Sequence, residues 1–200
     1  GPVEPPIVCT DQCRYVRPGA SGTGDGSDWT HAFLALPAAL ERGKVYLIAD
    51  GSYGAYTFDD AASGTEWITV RKATEASHGT DAGWQADFSD GVALFDGLGF
   101  SSSYYVVDGA KGGGPGAWLS GHGIEIVSTG AACKDNGSFI SFAAGTSNVT
   151  IKHVHAHAAS NDYPITGVKG TNGASELVFS FDAIHTTFGR WPRYIVGMSS

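Results

Sequence analysis

Charge is scarce in this chain. Its 200 residues hold 12 Lys and Arg and 20 Asp and Glu, so 16% are charged, against about 25% in an ordinary domain. The formal net charge of −8 disfavours nonspecific binding to nucleic acid or to an anionic membrane surface. No uninterrupted apolar run is long enough to cross a bilayer, so no membrane span is expected. Helical periodicity is almost missing after residue 44. The commonest esterase signature, GxSxG, is absent. So is any set of four ligands at zinc-finger spacing. GTGDG at 22–26 is Gly-rich, but no strand leads into it and no GK[ST] follows, so it is a turn and not a phosphate loop. No cofactor motif is present. Cysteine is limited to Cys9, Cys13 and Cys133. An odd count leaves two patterns open: a Cys9–Cys13 bridge with Cys133 a buried thiol, or Cys133 tied to one of the other two.

What the chain has in quantity is glycine, 29 residues, which suits a β-protein of many turns. Its length favours one domain. Residues 1–14 form an extended, Pro-containing tail, and residues 15–44 form an N-terminal cap. Within the cap, Phe33, Leu36 and Leu40 recur at helical spacing, Ser27 or Asp28 is a candidate helix N-cap, and Gly43 is a candidate C-terminal stop. These features predict a short amphipathic helix over 30–42. Five later segments share one strand pattern with apolar first and third residues: VYLIAD, ITVRKA, YVVDGA, VTIKHV and LVFSFD, starting at 45, 68, 105, 149 and 177. Their intervals of 23, 37, 44 and 28 residues fit stacked coils with connecting loops of variable length. Shorter strands at 55–58, 92–97, 123–128, 138–143 and 194–198 supply a second side to each coil, and long loops fall at 74–91, 110–122 and 129–137. An antiparallel sandwich would place NG or DG pairs in tight hairpins between strands. Here such pairs, Asn136-Gly137 among them, lie inside long loops.

The segments YVRPGASGTGDGSDW, HAFLALPAALERG and VYLIADGSYG closely resemble the N-terminal cap of secreted right-handed parallel β-helix proteins, the pectin-lyase-like group. The resemblance covers about 45 residues, and the coils beyond it match as a pattern. It implies an all-β fold, a right-handed parallel β-helix with a capping α-helix, running over 45–200 and either continuing past Ser200 or covered there by a partner. It also implies a secreted protein that associates with a polysaccharide or cell-surface glycan. In lyases of this group a basic residue abstracts a proton beside a uronate carboxylate, often with calcium offsetting the charge; no matching cluster of acids with an adjacent Lys or Arg pair occurs here. The competing expectation is a non-catalytic structural or adhesive fibre subunit that associates end to end through its last coil.

Several residues are candidates for chemistry. His153, His155 and His157 alternate, which on a straight strand would line one face with imidazoles. Alignment of the coils instead predicts a bend between Lys152 and Val154 that splits them, so no metal is expected there. The same alignment sets Phe181, Ala183 and His185 beside the three histidines. Arg71, Asp108, Lys152 and Ser180 fall in one outward column, expected to be an exposed charge ladder. Lys152 or His155 is the candidate base. Asp162 and Asp182 are the candidate carboxylate pair for a glycosidase. Trp84, Trp118 and Trp191 fall in loops, where a ring either stacks on a sugar or pins the loop to the coil. Asn136 and Asn148 begin Asn-x-Ser/Thr sequons.

Overall fold

The computed structural model describes residues 9–111, 121–128, 138–158, 166–171, 177–186 and 194–199, with backbone alone at 128, at 138 and from 157 onward. Twelve strands form one hydrogen-bonded sheet, and every strand pair in it is parallel. They are β1 (Cys13–Val16), β2 (Val45–Ile48), β3 (Gly51–Phe58), β4 (Ile68–Lys72), β5 (Ala93–Phe100), β6 (Tyr105–Asp108), β7 (Ile124–Ser128), β8 (Ser138–Phe142), β9 (Val149–Ala158), β10 (Thr166–Thr171), β11 (Leu177–Thr186) and β12 (Tyr194–Ser199). No α-helix occurs among the described residues. One 3₁₀ turn spans Ala86–Phe88.

The pairings sort the strands into three ladders. The first runs β1, β2, β4, β6, the start of β9 and the start of β11. The second joins the start of β3 and of β5 to β7 and the ends of β9 and β11. The third joins the ends of β3 and β5 to β8, β10 and β12. From β2 onward the chain visits the ladders in the same order on every circuit, so each circuit lays its strands against those of the circuit before. This recurrence positions equivalent side chains of successive circuits one strand spacing apart.

The interior is built from those columns. Ile68 pairs with Tyr105, Tyr105 with Val149 and Val149 with Leu177; Val70, Val107, Ile151 and Phe179 align in the same way. These are the two columns the shared strand pattern predicts. In the third ladder Phe58 stacks on Phe100 at 4.6 Å and Phe100 on Phe142 at 5.2 Å. Burial of apolar area contributes about 25 cal/mol per Å², and each circuit gains it only by stacking on a neighbour.

Two expectations need correction. β2 is displaced by one residue: Val45 pairs with Thr69, not Ile68. Tyr46 and Ile48 therefore enter the main core, while Val45 and Leu47 pack in a second apolar cluster with Tyr15, Trp29 and Ala73. A one-residue slip exchanges the faces of a strand, and it is tolerated because both faces of β2 are covered. The second correction concerns the cap. Residues 30–42 are not helical; they form bends and a single bridge between Val16 and Phe33. In a helix the Phe33 carbonyl would accept from residue 37, but that residue is Pro37 and has no N–H. The carbonyl accepts from Arg17 N–H at 2.8 Å, and Phe33 N–H donates to Tyr15 O at 2.9 Å. The apolar positions still do what the pattern implies: Leu36 and Leu40 are buried in the main core. Cys13–Val16, placed by sequence at the tail–cap boundary, is the edge strand of the first ladder.

Candidate functional site

A cluster of charged side chains lies at the corner where the first ladder turns into the second. β4 and β6 end there and β9 bends there, and their register brings Arg71 beside Asp108 and Asp108 beside Lys152. Asp108 is 2% exposed, so the column is not the exposed ladder expected from sequence. Its Oδ2 lies 3.7 Å from Arg71 Nη1 and 3.7 Å from Lys152 Nζ. Its Oδ1 accepts from Ala110 N–H at 2.8 Å and lies 2.7 Å from His153 Nδ1. The side chains of Arg71 and Lys152 are each 25% exposed and that of His153 37%. One buried carboxylate thus gathers two cations and an imidazole at the surface.

The bend predicted between Lys152 and Val154 is present at His153, whose φ is +54°. His153 is skipped in the register: Lys152 pairs with Ser180 and Val154 with Phe181. Phe181 thus aligns with Val154 and not with His153, while Ala183 pairs with His155 and His185 with His157 as expected. The bend needs a small neighbour. A Cβ on Gly109 would stand 1.9 Å from the His153 carbonyl oxygen, which leaves glycine as the residue that fits.

The bend separates the histidines. His153 turns to Asp108, whereas His155 is 6% exposed, with Nδ1 3.8 Å from Glu125 Oε1 and its ring 5.3 Å from that of His122. Among the described residues no group of three or more His, Cys, Asp or Glu side chains could hold a metal ion.

A second polar centre sits one circuit earlier at the same corner. Lys72 is fully buried, with Nζ 2.6 Å from Asp50 Oδ1 and donating to the carbonyls of Ala73 at 3.1 Å and Phe88 at 3.2 Å. Burial pushes its ammonium pKa below the ordinary value, against the opposing pull of Asp50. Asp50 Oδ2 accepts from Gly91 N–H at 2.5 Å. The pair ties the start of the second ladder to the loop before β5. A cleft of about 470 Å³ borders that loop and is lined by Glu75, Asp87, Asp90 and Lys111 among others.

The remaining sequence candidates divide clearly. Trp84 is half-buried, packing at 5.0 Å on Trp29 and stacking at 4.4 Å on His78, so it fastens its loop to the N-terminal segment. Asn148 is 8% exposed, its backbone is left-handed and its amide donates to Ser147 Oγ; in the folded chain it does not present that amide for glycosylation. Cys9 and Cys13 are joined by a disulfide, S–S 2.00 Å. Asp182 lies in β11 at a register shift. Cys133, Asn136, Trp118, Asp162 and Trp191 lie outside the described residues, as does the side chain of Asp182.

Sequence reasoning missed Lys72, Asp50 and the coupling of His153 to Asp108. A signal for Lys72 existed: Ile68, Val70 and Lys72 share strand parity, so a lysine falls on the core-facing side. The other two depend on how the corner folds.

Comparison with known proteins returns no match: no family model matches the chain, and no curated protein or solved structure is significantly similar to it. No helix among the described residues is long and apolar enough to cross a membrane.

Proposed function

We propose that the protein is an extracellular, carbohydrate-associated right-handed parallel β-helix, like the pectin-lyase-like proteins its N-terminal segments resemble. The observation that carries the reading is the corner constellation of Arg71, Asp108, Lys152 and His153, with partly exposed cations two circuits apart on either side of Asp108. A linear polymer fits such a row, because its repeating units meet equivalent positions along the stack. The cations favour an acidic glycan. The Cys9–Cys13 disulfide agrees with an oxidising compartment.

Affinity electrophoresis in gels containing acidic or neutral polysaccharide tests the proposal. The expected result is retardation by an acidic glycan, weakened at least tenfold in Kd by Arg71→Ala with Lys152→Ala and weakened by added salt. Unretarded migration in every glycan would overturn it. The alternative, a fibre subunit stacking end to end, has less support at the first circuit. There the outer edge of β1 is already engaged, with Tyr15 N–H donating to Gly26 O and Tyr15 O accepting from Phe33 N–H. A molar mass that grows with concentration in light scattering would favour that alternative.

A further inference from the structure

We propose that His153 is a general base and that the site it forms with Asp108 hydrolyses O-acyl esters carried by the glycan; this rests on the glycan reading above. The argument begins with the imidazole. Nδ1 faces the buried Asp108 carboxylate at 2.7 Å, and an ionised carboxylate only accepts. Nδ1 therefore carries the proton, and Nε2 holds the lone pair. The ring is 37% exposed and its described hydrogen bonds are all made through Nδ1, so Nε2 meets solvent. A carboxylate that fixes the tautomer and orientation of a histidine whose other nitrogen is open is the arrangement general-base catalysis needs. Ala110 N–H holds the carboxylate in turn. The left-handed backbone at His153 lifts the residue out of the strand register to reach Asp108, a strained conformation of the kind that clusters at functional sites. Arg71 and Lys152 lie 3.7 Å from the other oxygen of the same carboxylate.

The chemistry of the groups selects the reaction. Glycoside hydrolysis takes two carboxylates on opposite sides of the scissile bond; among the described side chains of the constellation the one carboxylate is buried and engaged by His153. Water is the nucleophile. Nε2 removes its proton as the water oxygen bonds to the acyl carbon and the carbonyl electron pair moves onto oxygen. The carbonyl re-forms, the bond to the sugar oxygen breaks, and that oxygen takes the proton back from Nε2. Ester and water become carboxylic acid and alcohol, with no other reactant.

The test measures acetate released from an O-acetylated acidic polysaccharide by the full chain. Asp108→Asn keeps the side-chain shape but reverses the preferred tautomer, and His153→Asn keeps a residue that tolerates the left-handed backbone. Each is expected to lower the rate at least a hundredfold with the circular dichroism spectrum unchanged. Nitrogen NMR of the wild-type protein is expected to show the Nδ1–H tautomer at His153. The inference is overturned by wild-type acetate release at the uncatalysed rate, by an Nε2–H tautomer, by full activity in His153→Asn, or by unsaturated uronide in place of acetate. Retardation on the glycan without acetate release would remove this inference and leave the glycan reading standing. Acetate release without retardation would do the reverse.

Discussion

Asp108 engages two hydrogen-bond partners and two cations with two oxygens, and its worth follows from its burial. An exposed pair contributes under about 1 kcal/mol, which is the cost the sequence column suggested for Asp108→Asn. With the carboxylate buried and Arg71 and Lys152 three-quarters covered, the expected cost is about 2 kcal/mol, since a buried charge that faces two part-buried cations is removed. Urea unfolding checks this; a cost under about 0.5 kcal/mol would show that the corner rehydrates. Lys72 is a stronger case. Lys72→Ala removes the stem as well as the charge, leaving a cavity and an Asp50 carboxylate that keeps the Gly91 N–H but loses its cation, so a loss of about 3 kcal/mol is expected. Lys72→Met fills the same space and lets Asp50, 20% exposed, recover water. It is expected to cost about 1 kcal/mol. Equal losses in the two variants would place the stabilisation in the ion pair and not in packing.

Among the elements, the corner turns are where side chains are least interchangeable. Gly109→Ala drives a methyl into the His153 carbonyl. Gly43, at φ +76°, has open space around it, so Gly43→Ala costs only the left-handed backbone, about 1 kcal/mol. Gly109→Ala is expected to cost more than about 3 kcal/mol and to broaden the NMR signals of β6 and β9; thermal unfolding of the two variants side by side measures the difference. Arg42 secures a different corner. It donates to the carbonyls of Ala61, Ser103 and Tyr104, shares a close contact with the Asp60 carbonyl, and lies 4.6 Å above the Tyr105 ring.

The element scale also shows how far the sequence could be read. Ile68, Tyr105, Val149 and Leu177 announce their column because alternation is a local property of a strand. The slip of β2 is invisible locally, since Val45, Tyr46, Leu47 and Ile48 are all apolar and suit either face. The apolar spacing over 30–42 points to a helix, but Pro37 removes the N–H the Phe33 carbonyl would need, and the segment folds as bends. Phe58, Phe100 and Phe142 lie at equal intervals of 42 residues, a trace of the third-ladder stack that strand alternation alone does not reveal. Within the site, the charge column was legible, but its burial depends on how neighbouring loops fold over it, and the approach of His153 to Asp108 depends on one left-handed residue.

At the scale of the whole molecule, burial of phenols sets the alkaline limit. Tyr15, Tyr46, Tyr53, Tyr56 and Tyr105 all have pKa values raised chiefly by burial, Tyr105 to about 12. In the unfolded chain these groups ionise near pH 10. Above that pH the unfolded state releases protons that the folded state keeps, so stability is fully present below about pH 10 and falls as pH rises toward the folded values. Lys72 acts in the opposite sense, adding stability as pH climbs from its lowered folded pKa to about 10.5. The phenols outnumber it, so net loss is expected. Ultraviolet titration of phenolate should show most of these tyrosines ionising together with loss of β-sheet circular dichroism. Smooth ionisation of all of them near pH 10 with the sheet intact would contradict the burial.

The engaged outer edge of β1 gives the molecule a direction. In a stack of parallel strands each finished circuit offers its free edge as a template for the next, and propagation from neighbour to neighbour is how such repeat arrays order themselves. The pairing of residues 26–33 against Tyr15 and Val16 occupies the template at the first circuit. Along that ladder, growth of ordered structure, whether by the chain's own later circuits or by a stray strand from another molecule, therefore proceeds away from β1. The segment that fails to form a helix acts as a doorstop at β1, barring strand addition to the first ladder there and sending it toward the other end.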